Sequence, residues 1–370
     1  METEARRKPE RLVSLDALRG FDMFWITGGT SFVGKFCLWT GIPILATVES
    51  QFHHTEWNGF TFLDLIFPLF MFMVGTSLPF AMSRRIEQGA NKKKLFLHVL
   101  RRAATIVFLG LLANGILNFD FENLRYAGVL QRIGLGYLFA SCIVLLFGLR
   151  GQIISFATIL LGYWAIMMWV PVPGIGAGFL TPEGNFASYI DRQFLPGSFC
   201  CFDLGDNEGL LSTLPAICSS LLGVFAGHWL RSENHSKTKR GVGLLIAGIA
   251  SLIIALVWNP FFPINKLLWS SSYVLFAGGW SLLLLGSFYL VIDVWGCKKW
   301  AFPFVVIGMN ALTIYIGQEL IDFHHTSEFF FEGIAGFMGG FGPVFLAFAV
   351  VLLKWLFLYF LYCKKIFLKA

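Results

Sequence analysis

Ten stretches of about twenty mostly apolar residues follow one another along this chain, and very few folds accommodate such a pattern. They run near Ser14–Val33, Gly59–Met82, Phe96–Leu117, Ala127–Phe147, Ile153–Val170, Gly209–Leu230, Val242–Trp258, Trp269–Val294, Phe302–Ile321 and Gly340–Leu361. In lipid a backbone N–H or C=O finds a partner only within a helix or a closed barrel, so runs of this length read as spanning helices. Composition agrees: 56% of the 370 residues are hydrophobic, 14% are charged, and 41 are phenylalanine. The expectation is an all-α polytopic membrane protein with about ten transmembrane helices, which excludes a soluble globular enzyme.

Lys and Arg fall in alternate connections. One side collects Arg6, Arg7, Lys8 and Arg11, then Arg84, Arg85 and Lys92 to Lys94, and later Lys237, Lys239, Lys298 and Lys364. The other side holds only Lys35, Arg125, Arg192 and Lys266. By the positive-inside bias both termini are expected in the cytoplasm, as tails 1–13 and 363–370 flanking one membrane domain, 14–362. The net charge of +6 is therefore topological, and no nucleic-acid partner is expected. Seven scattered cysteines show no metal-ligand spacing, and no metal is expected. The longest outer connection, 171–208, is rich in Gly and Pro and carries Asp191, Arg192 and Glu208, candidates for holding a substrate.

The stretch from Gln51 to Gly75 concentrates the chemistry. His53 and His54 are followed by Glu56, Trp57 and Asn58, and Asp64 and Pro68 interrupt the apolar run behind them. Titratable groups at the mouth of a membrane helix are costly and mark candidate sites. An imidazole there suits a general base near neutral pH; its plainer role is an interfacial histidine solvated by water or headgroups. Asn58 is a candidate oxyanion donor or a helix cap. Asp64 either orients a histidine, holds an acceptor or forms a buried pair. Phe52-His53-His54-Thr55 recurs as Phe323-His324-His325-Thr326, so four histidines are candidates to converge.

Three further clusters stand out. Asp16 and Arg19 share a helix face and form either an ion pair or, with Arg84 and Arg101, part of a site for an anionic co-substrate. Gln131 and Arg132 lie inside an apolar helix, where an arginine needs a partner or a cavity. Asn310 sits in another such helix as an interhelical hydrogen-bonder or a site residue.

Taken together, LDALRG (15–20), HHTEWNGFTFLDLIFPLFMFMVG (53–75), LRYAGVLQRIGLGY (124–137), YIDR (189–192), DNEGLLSTLPA (206–216), INKLLWSSSYVLF (264–276) and IGMNALTIYIGQE (307–319) resemble the heparan-α-glucosaminide N-acetyltransferase family and its bacterial relatives. The resemblance runs through almost the whole chain in order. It implies acetyl transfer from cytoplasmic acetyl-CoA to an amino sugar across the membrane, in a bacterial inner membrane. The family's catalytic histidine matches His54. The family also uses an asparagine near the outer end of the first helix. Here that region reads Thr27-Gly28-Gly29-Thr30, which leaves Asn58 or Thr30 as substitutes. On this reading Arg19, Gln131, Arg132, Asn310, Arg84 and Arg101 would serve acetyl-CoA. Glu56, Trp57, Asp64, Asp191, Arg192, Glu208, Lys266 and Trp269 would serve the acceptor. A ten-span domain is expected, with lipid as surroundings and a homodimer among the possible assemblies, since Gly134, Gly136, Gly278 and Gly279 suit close packing within or between chains.

Two other classes compete. A secondary transporter would use Asp16, Asp64, Arg132 and Asp293 as an ion path, and an O-acyltransferase would act on envelope glycans. A two-step route through acetyl-His54 is the alternative to direct attack.

Overall fold

The computed structural model describes residues 12–87, 89–200 and 204–367. The parts of the two expected tails at 1–11 and 368–370 lie outside this range. The first apolar stretch is helix α1 (Val13–Phe24), a widened five-residue turn at Trp25–Gly29, and α2 (Thr30–Thr40). Gly28, at φ 129°, permits the kink, because a side chain rarely tolerates that conformation. The N–H groups of Val13 and Ser14 donate to the Asp293 carboxylate, which caps the start of α1.

The region 34–58, expected as an open connection, is half helical. Gly41 ends α2 at φ 65° and Pro43 opens α3 (Pro43–Ser50), which is the usual division of labour between those two residues. Then come α4 (Phe62–Glu87), α5 (Lys92–Ala113), α6 (Val129–Leu146), α7 (Leu149–Trp169), the short α8 (Phe186–Phe194), α9 (Thr213–Arg231), α10 (Lys237–Trp258) and α11 (Ser271–Phe288). The last stretch holds α12 (Phe302–Met309), α13 (Ala311–Leu320), α14 (Phe323–Phe337) and α15 (Gly342–Cys363). No strand is present among the described residues; two isolated bridges, Arg125 with Gly197 and Val172 with Gly176, stitch connections.

Among the described residues eight helices are long and apolar enough to cross a membrane, and α12 with α13 makes a ninth, bent by 61°. With the kinked α1–α2 segment, these account for the ten apolar stretches. The bend falls at Asn310, whose amide donates to the carbonyl of Ile366 at 3.1 Å, beyond the end of α15. The region 322–339 departs from expectation: it is α14, whose N-terminus Asp322 caps by accepting from the His325 N–H, and it lies against α15.

Helices α4 and α9 form the centre, each with 72% of its apolar window buried, and α11 joins them. Helices α5, α7 and α10 bury only 22–28% and present the rest outward, as a lipid-facing wall requires. The closest crossings run over small residues. A Cβ on Gly75 would lie 1.9 Å from the Ser220 carbonyl oxygen, and one on Gly223 1.9 Å from that of Phe72. Gly20 and Gly308 do the same for α1 on α12. Gly134, Gly136, Gly278 and Gly279 all meet neighbours inside this chain.

Because the helices alternate in direction, the connections at 51–61, 114–128, 170–212 and 259–270 gather at one end of the bundle. That end carries the site.

Candidate active site

Asp64 occupies the first turn of α4, and the residues before it hold its carboxylate. The Thr61 N–H and hydroxyl each donate to Asp64 Oδ2 at 3.1 Å, while the Asp64 N–H donates to the Thr61 carbonyl at 3.1 Å. This is the reciprocal pattern of a capped helix start, and the positive end of the helix dipole favours the anion there. Pro68, four residues on, has no N–H for the Asp64 carbonyl. The Tyr273 hydroxyl takes that place, donating at 2.7 Å from α11 and fixing this end of α4.

With Oδ2 so engaged, Asp64 Oδ1 faces His54 Nδ1 at 2.6 Å. A carboxylate at that distance selects the tautomer with its proton on Nδ1, which leaves the lone pair on Nε2 as a base. The Asp64 side chain is 1% exposed and that of His54 54%, so an inner anchor carries an accessible ring. Asp64 thus orients the histidine, and its oxygens are taken up by protein donors. Lys266, from the connection before α11, completes the group. Its ammonium lies 3.3 Å from Asp64 Oδ1 and 3.1 and 3.4 Å from the two ring nitrogens of His54. Burial pulls the Lys266 ammonium below the usual lysine range, and the Asp64 carboxylate opposes that shift.

Backbone and amide contacts hold these two segments together. The Gly59 N–H donates to the Ile264 carbonyl at 2.9 Å, and Asn265 Nδ2 donates to Asn58 Oδ1 at 3.0 Å. Trp57 Nε1 donates to the Leu180 carbonyl at 2.8 Å, attaching the long connection 171–208 as a cover. Arg125 holds its far end, reaching Asp206 through two bonds of 2.7 and 2.8 Å and also Glu208. These partners push the Arg125 guanidinium up from its ordinary value and hold the Asp206 carboxyl below its own. Cys200, in the same cover, is disulfide-bonded, and its N–H donates to Asp206 at 2.9 Å.

The group opens on a cavity of about 510 Å³. His54, Glu56, Asp64, Arg125, Glu208 and Lys266 line its mouth. Met23, Ile66, Phe67, Phe70, Ile133 and Leu312 line its depth, which is apolar. Tyr315 of α13 also lines the cavity. A polar mouth over an apolar chamber fits an amphipathic ligand whose reacting end stops beside His54.

Of the expected site residues, His54, Glu56, Trp57, Asp64, Glu208 and Lys266 come together here. Asn58 does not: it lies outside the cavity walls with its amide oxygen on Asn265, so it is not placed to serve as the oxyanion donor. Thr30, the other substitute, bonds the Trp25 carbonyl. Trp269 is 1% exposed, donates to Ser219 and packs on Phe67 and Tyr273, so it supports the site from behind. Asp191 accepts from the N–H groups of Leu210 and Asp206, and Arg192 donates to the Leu204 carbonyl; both fold the cover instead of facing the cavity.

The residues expected to hold a co-substrate are dispersed. Arg19 pairs with Asp16 at 3.4 Å and reaches Ser77, Arg101 is exposed on α5, and the Arg84 side chain lies outside the described part. Gln131 packs beneath Gly110 and Gly128. Arg132 is buried, bonded to Gly209 and Ser212 and stacked on the Trp269 ring at 4.8 Å. Among the described residues, none of the other five, Arg19, Gln131, Arg132, Asn310 and Arg101, lines the cavity. Asp16, Asp64, Arg132 and Asp293 each belong to a separate constellation, and these do not form the path a transporter would need. His53 pairs with Glu49 at 2.6 Å, and His324 and His325 are exposed on α14. Among the described residues no group of three His, Cys, Asp or Glu side chains is placed to hold a metal ion.

Arg125, Asn207, Cys200 and Tyr315 line the cavity without having been singled out from sequence. Arg125 and Asn207 sit inside the quoted LRYAGVLQR and DNEGLL blocks, which was the available signal.

Comparison with known proteins places the chain. A family model described as a domain of unknown function, DUF5009, matches residues 11–155. Heparan-alpha-glucosaminide N-acetyltransferase of Mus musculus is 30% identical over 325 residues, covering 73% of this chain and 49% of the mouse protein. The Homo sapiens protein of the same name is 29% identical over 369 residues, covering 85% of this chain and 53% of its own. The chain therefore spans about half the length of these relatives, and the matched part includes most of the membrane bundle just described. It is a multi-pass, all-α membrane protein that belongs to the heparan-alpha-glucosaminide N-acetyltransferase family.

Proposed function

We propose that this protein is a transmembrane acyltransferase that moves an acetyl group from acetyl-CoA to the amine of a glucosamine-type sugar, with His54 as general base. The observation that carries the reading is the 2.6 Å contact between His54 Nδ1 and Asp64, placed at the mouth of a cavity with an apolar depth. The names of the relatives supply the reaction class.

The acceptor enters by the polar mouth, and the thioester arm extends along the apolar chamber. As the amine nitrogen attacks the thioester carbon, His54 Nε2 removes its proton, and Asp64 stabilises the imidazolium that results. The oxygen of the tetrahedral intermediate takes its negative charge next to Lys266, which assumes the role that sequence reasoning gave to Asn58. Collapse breaks the C–S bond, and the proton on His54 passes to the leaving thiolate, giving CoA-SH and the N-acetyl sugar. Direct transfer is preferred over an acetyl-histidine route because His54 is accessible at the water-facing mouth, where such an intermediate would be hydrolysed. On this reading acetyl-CoA binds from the basic, cytoplasmic face, which the Lys/Arg distribution supports, and the sugar from the other face, in a bacterial inner membrane.

The test is turnover of radiolabelled acetyl-CoA and glucosamine by detergent-purified protein. Wild type forms N-acetylglucosamine, and His54→Ala loses about 10²–10⁴ in rate. Near-normal activity in that variant would rule out His54 as the base.

A further inference from the structure

The charges around the cavity do not balance. Glu56, Asp64 and Glu208 face it, together with Arg125 and Lys266. Both cations are already answered: Lys266 by Asp64 at 3.3 Å, and Arg125 by Glu208 and by Asp206 behind it. Four carboxylates against two cations leave two negative charges while His54 is neutral, in a chain whose net charge is +6. One of these charges is shared within the Arg125, Asp206 and Glu208 group, and the other stands on Glu56. Among the described residues Glu56 is the cavity carboxylate without an ion pair or hydrogen bond, and it stands two positions from His54 on the same non-helical segment. A cleft of one sign over low-dielectric walls focuses its field and concentrates ligands of the opposite sign.

We propose that Glu56 is a specificity-determining residue that draws the acceptor in as an ammonium ion, so that the site selects amine-bearing sugars over neutral or anionic glycans. This rests on the transferase reading and adds how the acceptor is chosen. The bound ammonium gives its first proton to water at the open mouth, and the neutral amine gives the second to His54 as the C–N bond forms and the C–S bond breaks. Glu56 makes no hydrogen bond or ion pair with His54, so its removal is expected to affect capture of the acceptor and not the chemical step.

The experiment compares wild type, Glu56→Gln and Glu56→Lys, using titration calorimetry with glucosamine and with glucose, and steady-state kinetics with glucosamine and acetyl-CoA. The expected result is a glucosamine KM raised roughly three- to tenfold in Glu56→Gln and further in Glu56→Lys, as loss of one partly solvated attraction implies. KM for acetyl-CoA and weak glucose binding stay unchanged, and the wild-type glucosamine KM alone rises with salt. An unchanged glucosamine KM in an active enzyme, or equal loss of glucosamine and glucose binding, would overturn the assignment and leave the transferase standing. Glucosamine binding that depends on Glu56 without any turnover would sustain the assignment and remove the transferase reading.

Discussion

Asp64 and Lys266 do different things to the same histidine, and single substitutions separate them. Asp64→Asn keeps size but turns an acceptor into a group whose NH₂ faces the His54 Nδ1–H, which drives the ring to the wrong tautomer. We expect kcat to fall by about 10²–10⁴ with KM for both substrates within about threefold, in steady-state assays of folded protein. Lys266→Met removes the cation beside the developing oxyanion and should lower kcat by about 10²–10³, with Lys266→Arg recovering part of it. If Lys266→Met changed only the acceptor KM, Lys266 would be a substrate contact instead. At this scale the sequence was uneven. His54 and Asp64 lie ten positions apart in one recognisable block, so their partnership was among the readings available. Lys266 is 212 positions from His54, and no local pattern announces that a connection before another helix will place its ammonium on the ring. Asn58 was grouped with His54, Glu56 and Trp57 by sequence proximity, but the segment turns at Gly59, φ 121°, and its amide oxygen meets Asn265.

The helices were easier to read, since a twenty-residue apolar run admits few alternatives in lipid. What hydropathy omits is how they cross. At the α4–α9 contact, Gly75 and Gly223 let two backbones touch, and a methyl on either would fall 1.9 Å from a carbonyl oxygen of the other helix. Backbone cannot yield there as a flexible side chain would. Gly75→Ala or Gly223→Ala should therefore cost about 1–3 kcal/mol or more, read as a lowered thermal midpoint in detergent, whereas Gly162→Ala, in open space on α7, should be neutral. Equal midpoints across all three would show that this crossing has room for a methyl group. Helix α14 escaped notice for the opposite reason: its first half, FHHTSE, is polar, and only its contact with α15 and the Asp322 cap make it a helix.

At the scale of the whole molecule, the cover formed by 171–208 depends on carboxylates folded into it, and these make its hold on the bundle pH-dependent. Asp191 is 2% exposed, and burial pushes its carboxyl up to about 6, against the stabilising N–H groups of Leu210 and Asp206. A group whose folded pKa lies above its unfolded value near 3.8 contributes stability that is complete below that value and is lost as pH rises through about 6. Asp206 behaves in the opposite sense. Held low by Arg125, it stays ionised above pH 4 and contributes stability that is lost only in stronger acid. Of these two carboxylates only Asp191 titrates between pH 4.5 and 7, and comparison with Asp191→Asn cancels the other groups that titrate there. Its replacement by Asn keeps a neutral acceptor at all pH values, so the wild-type thermal midpoint should drop relative to Asp191→Asn as pH rises across that interval. A constant gap between the two proteins would mean that Asp191 titrates normally and that the cover is open to water at that point. The same cover carries Asn207 and Glu208 to the wall of the cavity. Sequence indicated a long connection with acidic residues; that Trp57 and Arg125, from two other connections, tie it down follows only from the fold.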